Sequence, residues 1–266
     1  LHQAINVADE LLKKNKLIVY TEGAHSKKRT FFSRSEGLFE NGKLIILVNS
    51  STASASEIVS GAIQDNDRGL ILGRRTFGKG LVQQPLLLPD SSELRITTSR
   101  YYTPSGKCIQ KPYGDTIDYD NDLFERIESG ELTQIDSLKN NKFMGGILPN
   151  IYSPIDTSRY NDQVNEIIYT RKWRDFCFNY YEKYPISNFE NVKEFYYNFK
   201  VQNNELRKYL KKINKDIAVF DNNTINDLEW SLKIELSSYY YSDQSRYIIS
   251  TFKDSDVKIA LLELEK

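Results

Sequence analysis

The chain has 266 residues, with 36 Lys plus Arg balanced by 36 Asp plus Glu, and is long enough for one large domain or two smaller ones. Zero net charge supplies no field toward nucleic acid or an anionic membrane surface, so no nucleic-acid partner is expected. The two cysteines, Cys108 and Cys177, lie far apart with no C-x-x-C spacing, and there are only two histidines; a Cys/His zinc site is not expected, nor any metal or cofactor, and two unpaired thiols are favoured over a disulfide. The opening residues Leu1, Ile5, Ala8, Leu11 and Leu12 recur every three or four positions and predict a helix over residues 1 to 14. Leu1 already lies inside that pattern, so the expectation is a piece of a longer protein. No basic-then-apolar leader is seen, and no apolar run reaches the roughly 20 residues that span a bilayer.

Leu17 to Tyr20 follow as a short strand, and residues 24 to 35 as an exposed polar loop or hairpin. Lys43 to Asn49 (KLIILVN) read as a strand apolar on both faces and therefore fully buried. After a break at residues 50 to 54, ASEIVSGAIQDN over 55 to 66 puts Ile58, Val59, Ala62 and Ile63 on one helical stripe. Another strand, Gly69 to Gly73, comes next, and strand, turn, helix, strand is the grammar of a βαβ crossover. Residues 81 to 88 and 93 to 99 flank Pro-Asp-Ser-Ser and predict a hairpin.

Beyond about residue 112 the sequence becomes richer in Asn, Asp, Lys and Tyr. Residues 113 to 142 read as a partly helical insert, after which Gly145-Gly-Ile-Leu-Pro149 returns to ordered structure and Pro154 marks a boundary. From Tyr160 onward apolar and aromatic residues recur at helical spacing, up to Ile259, Leu261 and Leu262. The organisation expected is α/β over 1 to 155, with the insert at 113 to 142, and a helical C-terminal region over 156 to 266. The aromatic stripes are read as packing, and Cys177 between Phe176 and Phe178 as a small core residue.

Chemistry concentrates in Ser50-Ser-Thr-Ala-Ser-Ala-Ser-Glu57 and Gly73-Arg-Arg-Thr-Phe-Gly-Lys-Gly-Leu-Val-Gln83. A serine at the start of a helix that follows a buried strand is exposed at a sheet edge, next to backbone N–H groups with no intrahelical acceptor. Its hydroxyl needs a base, and His2 and His25, in the opening helix and a polar loop, are poor candidates. A lysine serves if it is neutral, which calls for burial without a carboxylate partner. Gly78-Lys79-Gly80 fits, because flanking glycines let the backbone pass close to another element.

The run from Lys43 to Gln110, with SxTASASEI, D-x-x-R-G-L-I-L-G, T-F-G-K-G-x-V-Q, L-P-D and T-x-x-R-Y-Y-T-P-S-G-x-x-I-Q, resembles the core of the carboxyl-terminal processing peptidases, or tail-specific proteases. Gly145 to Asn150 resembles the family's later G-G-I-x-P-D element, with Asn in place of Asp. The resemblance implies a ClpP/crotonase-like mixed sheet-and-helix peptidase core, with Ser54 as nucleophile, Lys79 as base and Gln83 orienting the lysine without adding charge. It further implies an oxyanion donor at the Ala55 N–H, and Glu57 supporting the helix N-terminus. A second oxyanion donor falls in the family on a loop before the first helix, outside this chain. The resemblance also implies protein or peptide substrates cut near their C-termini, a PDZ domain upstream, and a periplasmic or cell-envelope location. A homo-oligomer is compatible with it.

Taken singly, Ser54 reads as a helix cap, Lys79 as a solvated loop residue and Gln83 as a surface strand residue; only their joint spacing points to a site. Two other readings use the same fold. One is a catalytically inactive scaffold that binds a partner peptide along a strand edge, and the other an acyl-CoA enzyme of crotonase architecture, which the serine motif disfavours.

Overall fold

The computed structural model describes residues 1 to 113, 121 to 133, 145 to 157, 161 to 185, 189 to 215 and 220 to 266. The chain forms two compact units, one of Leu1–Ile155 with Lys258–Lys266 and one of Asp156–Val257. The first is mixed α/β, so the fold class expected from the sequence is the one observed; the second is helical, while residues 258 to 266, read as part of the helical C-terminal region, group with the first unit.

The first unit opens with α1 (His2–Asp9), shorter than the periodicity suggested, whose Ile5 and Ala8 are buried together with Leu12 just beyond it. β1 (Leu17–Gly23) and β2 (Ser26–Phe32) make an antiparallel hairpin from the polar stretch. β5 (Leu81–Leu87) and β6 (Glu93–Tyr102) form the second hairpin, and the four strands run β2-β1-β6-β5. A second, three-stranded sheet contains β3 (Ile45–Val48), β4 (Leu70–Gly73) and β7 (Ile151–Tyr152), with both pairings parallel. Between β3 and β4 lies α2 (Ala55–Asp65), which completes the βαβ crossover.

The core is built from the stripes read in the sequence: Ile5 and Ala8 of α1, Ile18 and Val19 of β1, Ile58, Ala62 and Ile63 of α2, closed by Ile71, Ile109 and Ile147. One expectation fails. β3 is not buried on both faces, since only Val48 of its four residues is buried and Leu47 is 42% exposed. The alternate residues Leu44, Ile46 and Val48 pack on the core, so the strand covers it with one face only.

Of the segment read as an insert, residues 114 to 120 and 134 to 142 lie outside the described residues. What is described contains α3 (Asp122–Glu128). The second unit packs α4 (Asp162–Ile168), α5 (Arg171–Lys183), α6 (Val192–Asn198), α7 (Asn203–Lys212), α8 (Asn222–Tyr240) and α9 (Asp243–Thr251) around Trp173, Cys177, Phe195, Leu210, Leu232 and Ile249. Cys177 is fully buried and Cys108 lies nearer the surface, both as free thiols; burial pushes the Cys177 thiol well above its ordinary range. In the last helix, α10 (Ser255–Glu265), Ala260 is buried whereas Leu261 and Leu262 are more than half exposed. No described helix is long and apolar enough to cross a membrane.

Candidate active site

Ser54 is the N-cap of α2, where the chain leaves β3 through a turn tied by Thr52 N–H to Asn49 O (2.9 Å) and Asn49 N–H to Thr52 Oγ1 (3.0 Å). Its backbone has φ 57° and ψ −114°, a conformation ordinarily left to glycine and costing a serine roughly 1–3 kcal/mol. Strain of this kind persists only where surrounding contacts impose it, and one such contact is the Ser54 N–H donating to Glu57 Oε2 at 2.8 Å. Ser54 itself is half-buried, and Ala55, whose N–H is among the first of the helix without an intrahelical acceptor, is exposed.

Glu57 does more than cap its helix. Its fully buried carboxylate also accepts from Thr76 Oγ1 (2.5 Å), Gly78 N–H (2.6 Å) and Lys79 N–H (2.8 Å). Ser54 N and Lys79 N donate to the same oxygen, Oε2, so these two nitrogens lie within twice a hydrogen-bond length of each other. Residues 25 apart in sequence are thereby brought to one point. A carboxylate suits the task, because two oxygens can take four donors and charge-assisted bonds are the stronger kind.

Further bonds fix the loop of residues 74 to 80. Phe77 N–H donates to Thr52 O (2.9 Å) and Arg74 N–H to Val48 O (3.1 Å), joining the loop to the turn after β3. Thr76 Oγ1 accepts from Ile147 N–H (2.6 Å), which draws the Gly145-Gly-Ile-Leu-Pro element into the site. On the far side of Lys79, Gly80 N–H donates to Gln110 Oε1 (2.9 Å), and Lys111 N–H to Gly78 O (2.8 Å). The flanking glycines are needed for this approach: a Cβ at Gly80 would meet Gln110 N at 2.4 Å, and Gly78 has φ 87° with Lys111 Cβ 2.9 Å from where its own would stand. Asn150, where the family pattern has Asp, still accepts through Oδ1 from Ile71 N–H (2.9 Å), a bond the neutral amide makes as well as a carboxylate oxygen.

The side chains of Lys79 and Gln83 are both exposed, not buried as the sequence reading required of a neutral lysine. The reason is local. Lys79 is held by its backbone, while its side chain leaves the loop into an open cleft of about 890 Å³ that Ala53, Phe77, Gln83, Leu123 and Arg126 also line. Among the described residues no carboxylate lies within ion-pair distance of Lys79, and no hydrogen bond joins its ammonium to Gln83. Gln83 sits at a bulge in the β5–β6 pairing, which re-aims a strand side chain. His25 lines a different cavity, of about 670 Å³, that contains none of Ser54, Lys79 and Gln83. Sequence reasoning missed Thr76 and Gln110 as members of the framework, although both stand inside the motifs it used; it also missed Arg126 and Glu131, which no motif flagged.

Residues 1–121 match the family model described as peptidase family S41. A carboxy-terminal-processing protease of Bartonella bacilliformis is 42% identical over 110 residues, covering 41% of this chain and 25% of that protein. A chloroplastic C-terminal processing peptidase of Tetradesmus obliquus is 39% identical over 107 residues, 40% of this chain and 23% of that one. The chain thus spans about a quarter of the length of these relatives. Among solved structures, a photosystem II D1 C-terminal processing protease aligns at 28% identity and a TM-score of 0.43, covering 58% of this chain and 31% of the other. The resemblance read from the motifs is borne out at the level of the family.

Proposed function

From the match of residues 1–121 to peptidase family S41, we propose that this chain carries the Ser-Lys site of a serine peptidase that cuts protein substrates near their C-termini. The observation that supports it best is the Glu57 carboxylate, which gathers the N–H groups of Ser54 and Lys79 on one oxygen and holds Ser54 in a strained backbone. In this mechanism neutral Lys79 takes the proton of Ser54 Oγ as that oxygen attacks the scissile carbonyl carbon. The carbonyl oxygen, now an anion, is received by the Ala55 N–H. Collapse breaks the C–N bond, Lys79 returns the proton to the leaving amine, and water then hydrolyses the acyl-enzyme by the same proton relay. Gln83, neutral and facing the same cleft, orients Lys79 once a substrate fills the cleft. That filling also supplies the desolvation an exposed ammonium lacks. A PDZ domain upstream, a homo-oligomer and a periplasmic or envelope setting are parts of the same proposal.

The open position of Lys79 favours a second reading, an inactive scaffold that only binds peptide in this cleft. Cleavage of an unstructured protein with an apolar C-terminus by the full-length protein separates the two. Ser54→Ala and Lys79→Ala are each expected to lower kcat by at least about 10³-fold; equal cleavage by wild type and both variants ends the Ser-Lys reading.

A further inference from the structure

The loop that carries Lys79 is gripped from a second side by residues no motif singled out. Arg126, on α3, sends Nη2 to Arg75 O (2.5 Å) and Nη1 to Thr76 O (3.5 Å), the two carbonyls just before Phe77-Gly78-Lys79. Its Nε donates to Glu131 Oε1 at 2.9 Å, and the same carboxylate takes Arg75 Nε and Nη2 at 2.8 and 2.9 Å. Asp122 lies 3.2 Å from Lys111 Nζ and about 4 Å from both guanidiniums. Arg75, Lys111, Arg126 and Glu131 are all buried.

The two grips are complementary. Glu57 accepts from the N–H groups of Gly78 and Lys79, and Arg126 donates to the carbonyls of Arg75 and Thr76. Successive peptide planes are therefore fixed by a buried anion at one end and a buried cation at the other. Burying so many charges is a poor way to gain stability, since apolar residues of similar volume often do as well or better. Desolvation, reinforced by the neighbouring Arg75 charge, draws the Arg126 guanidinium below its ordinary range. What such a network supplies is a single geometry, which is what a base on a loop requires.

We propose that Arg126, braced by Glu131, is a positioning residue: it fixes the Arg75 and Thr76 peptide planes and so the direction in which Lys79 enters the cleft. Its effect on rate rests on the Ser-Lys reading above; its effect on the loop does not. The test uses Arg126→Gln and Glu131→Gln, with Arg246→Gln as control because Arg246 holds an ion pair of the same length, though more exposed, with Glu235 in the helical unit (2.9 Å). Amide exchange at Gly78 and Lys79 is measured at a temperature where each variant is fully folded. Both test variants should speed exchange there by about tenfold or more, and the control should not.

In turnover, kcat should fall by about 10²-fold with KM unchanged within about twofold. Arg126→Lys keeps the charge but offers one donor centre to two carbonyls, so it should shift both readouts the same way by less; it carries the test if Arg126→Gln does not fold. Unchanged exchange at Gly78 and Lys79 overturns the proposal, as does equal acceleration in Arg246→Gln. A raised KM with unchanged kcat also overturns it, making Arg126 a substrate contact. Should Ser54→Ala cleave as well as wild type, the peptidase reading falls, and the exchange data still decide the clamp.

Discussion

The interiors of the two units are built from different materials. Every buried Asp, Glu, Lys and Arg among the described residues, namely Glu57, Arg75, Lys111, Arg126 and Glu131, belongs to the first unit and surrounds the loop of residues 74 to 80. In the second unit the buried Ser and Thr residues are Thr224, Ser231, Ser237 and Ser245, and its charged pair Arg246–Glu235 is only partly buried. Its core mixes aliphatic and aromatic side chains, with ring contacts such as the stack of Phe176 on Tyr209 (centroids 4.4 Å apart) and the edge contact of Trp173 with Tyr209 (5.6 Å). Aromatic packing is tolerant and stabilising, whereas buried charge is expensive and intolerant of a missing partner. Cost of that kind suits a place where a geometry has to be unique, which is consistent with the candidate site lying in the first unit.

Two substitutions set the regions against each other. Glu57→Gln replaces one acceptor oxygen by an NH2 group facing two donors, at about 1–3 kcal/mol for each unsatisfied donor. Because the lost bonds are those that bring Ser54 and Lys79 together, cleavage by the folded protein should fall by about 10²-fold or more. Trp173→Ala should destabilise the second unit by about 3–5 kcal/mol through its cavity and leave kcat within about twofold at temperatures where that unit is still folded. Thermal melts with a cleavage assay check both. A Trp173→Ala enzyme, fully folded yet as slow as Glu57→Gln, breaks the division of labour.

Sequence legibility divides along the same line. The βαβ segment, the second hairpin and the helical tail were legible because each rests on local periodicity: Ile58, Ala62 and Ile63 mark one face of α2 as clearly as Leu228, Leu232 and Leu236 mark α8. The candidate pair was legible because two motifs carry it at fixed spacing. Exposure of Lys79 was not, since flanking Gly and Leu residues describe the backbone's surroundings and say little of where a long side chain goes. Nor were Arg126 and Glu131, which meet Arg75 across 51 and 56 residues of sequence. Long-range pairing of charged residues has no period, and the sequence around them reads only as a partly helical insert.

The backbone of Ser54 offers a sharper and smaller test. Glycine adopts φ 57° without the steric cost a serine bears, though it also gains freedom in the unfolded chain. Ser54→Gly should be more stable than Ser54→Ala by about 1 kcal/mol, with both inactive. Denaturant midpoints at equal m-value measure this directly. Equal midpoints for the two variants imply that the turn relaxes and that Ser54 stores no strain.

The smallest expected effect concerns acid. Asp65, at the C-terminal end of α2, accepts from Ser105 N–H at 2.9 Å and lies 3.8 Å from Lys107 Nζ, fastening the turn after β6 to the helix. Burial works to raise its carboxyl, but hydrogen bonds from Thr103 and Ser105 and the Lys107 charge outweigh it and hold the group below the ordinary carboxylate range. A carboxyl depressed in the folded state contributes stability that is complete above its unfolded value and is lost as pH falls through its folded one. Wild type should therefore lose stability on acidification from about pH 4 toward pH 2 more steeply than Asp65→Asn, by no more than about 1 kcal/mol because the site is partly solvated. Parallel pH dependences for the two proteins mean that Asp65 is equally easy to protonate folded and unfolded, so that its bond to Ser105 N–H adds no pH-dependent stability.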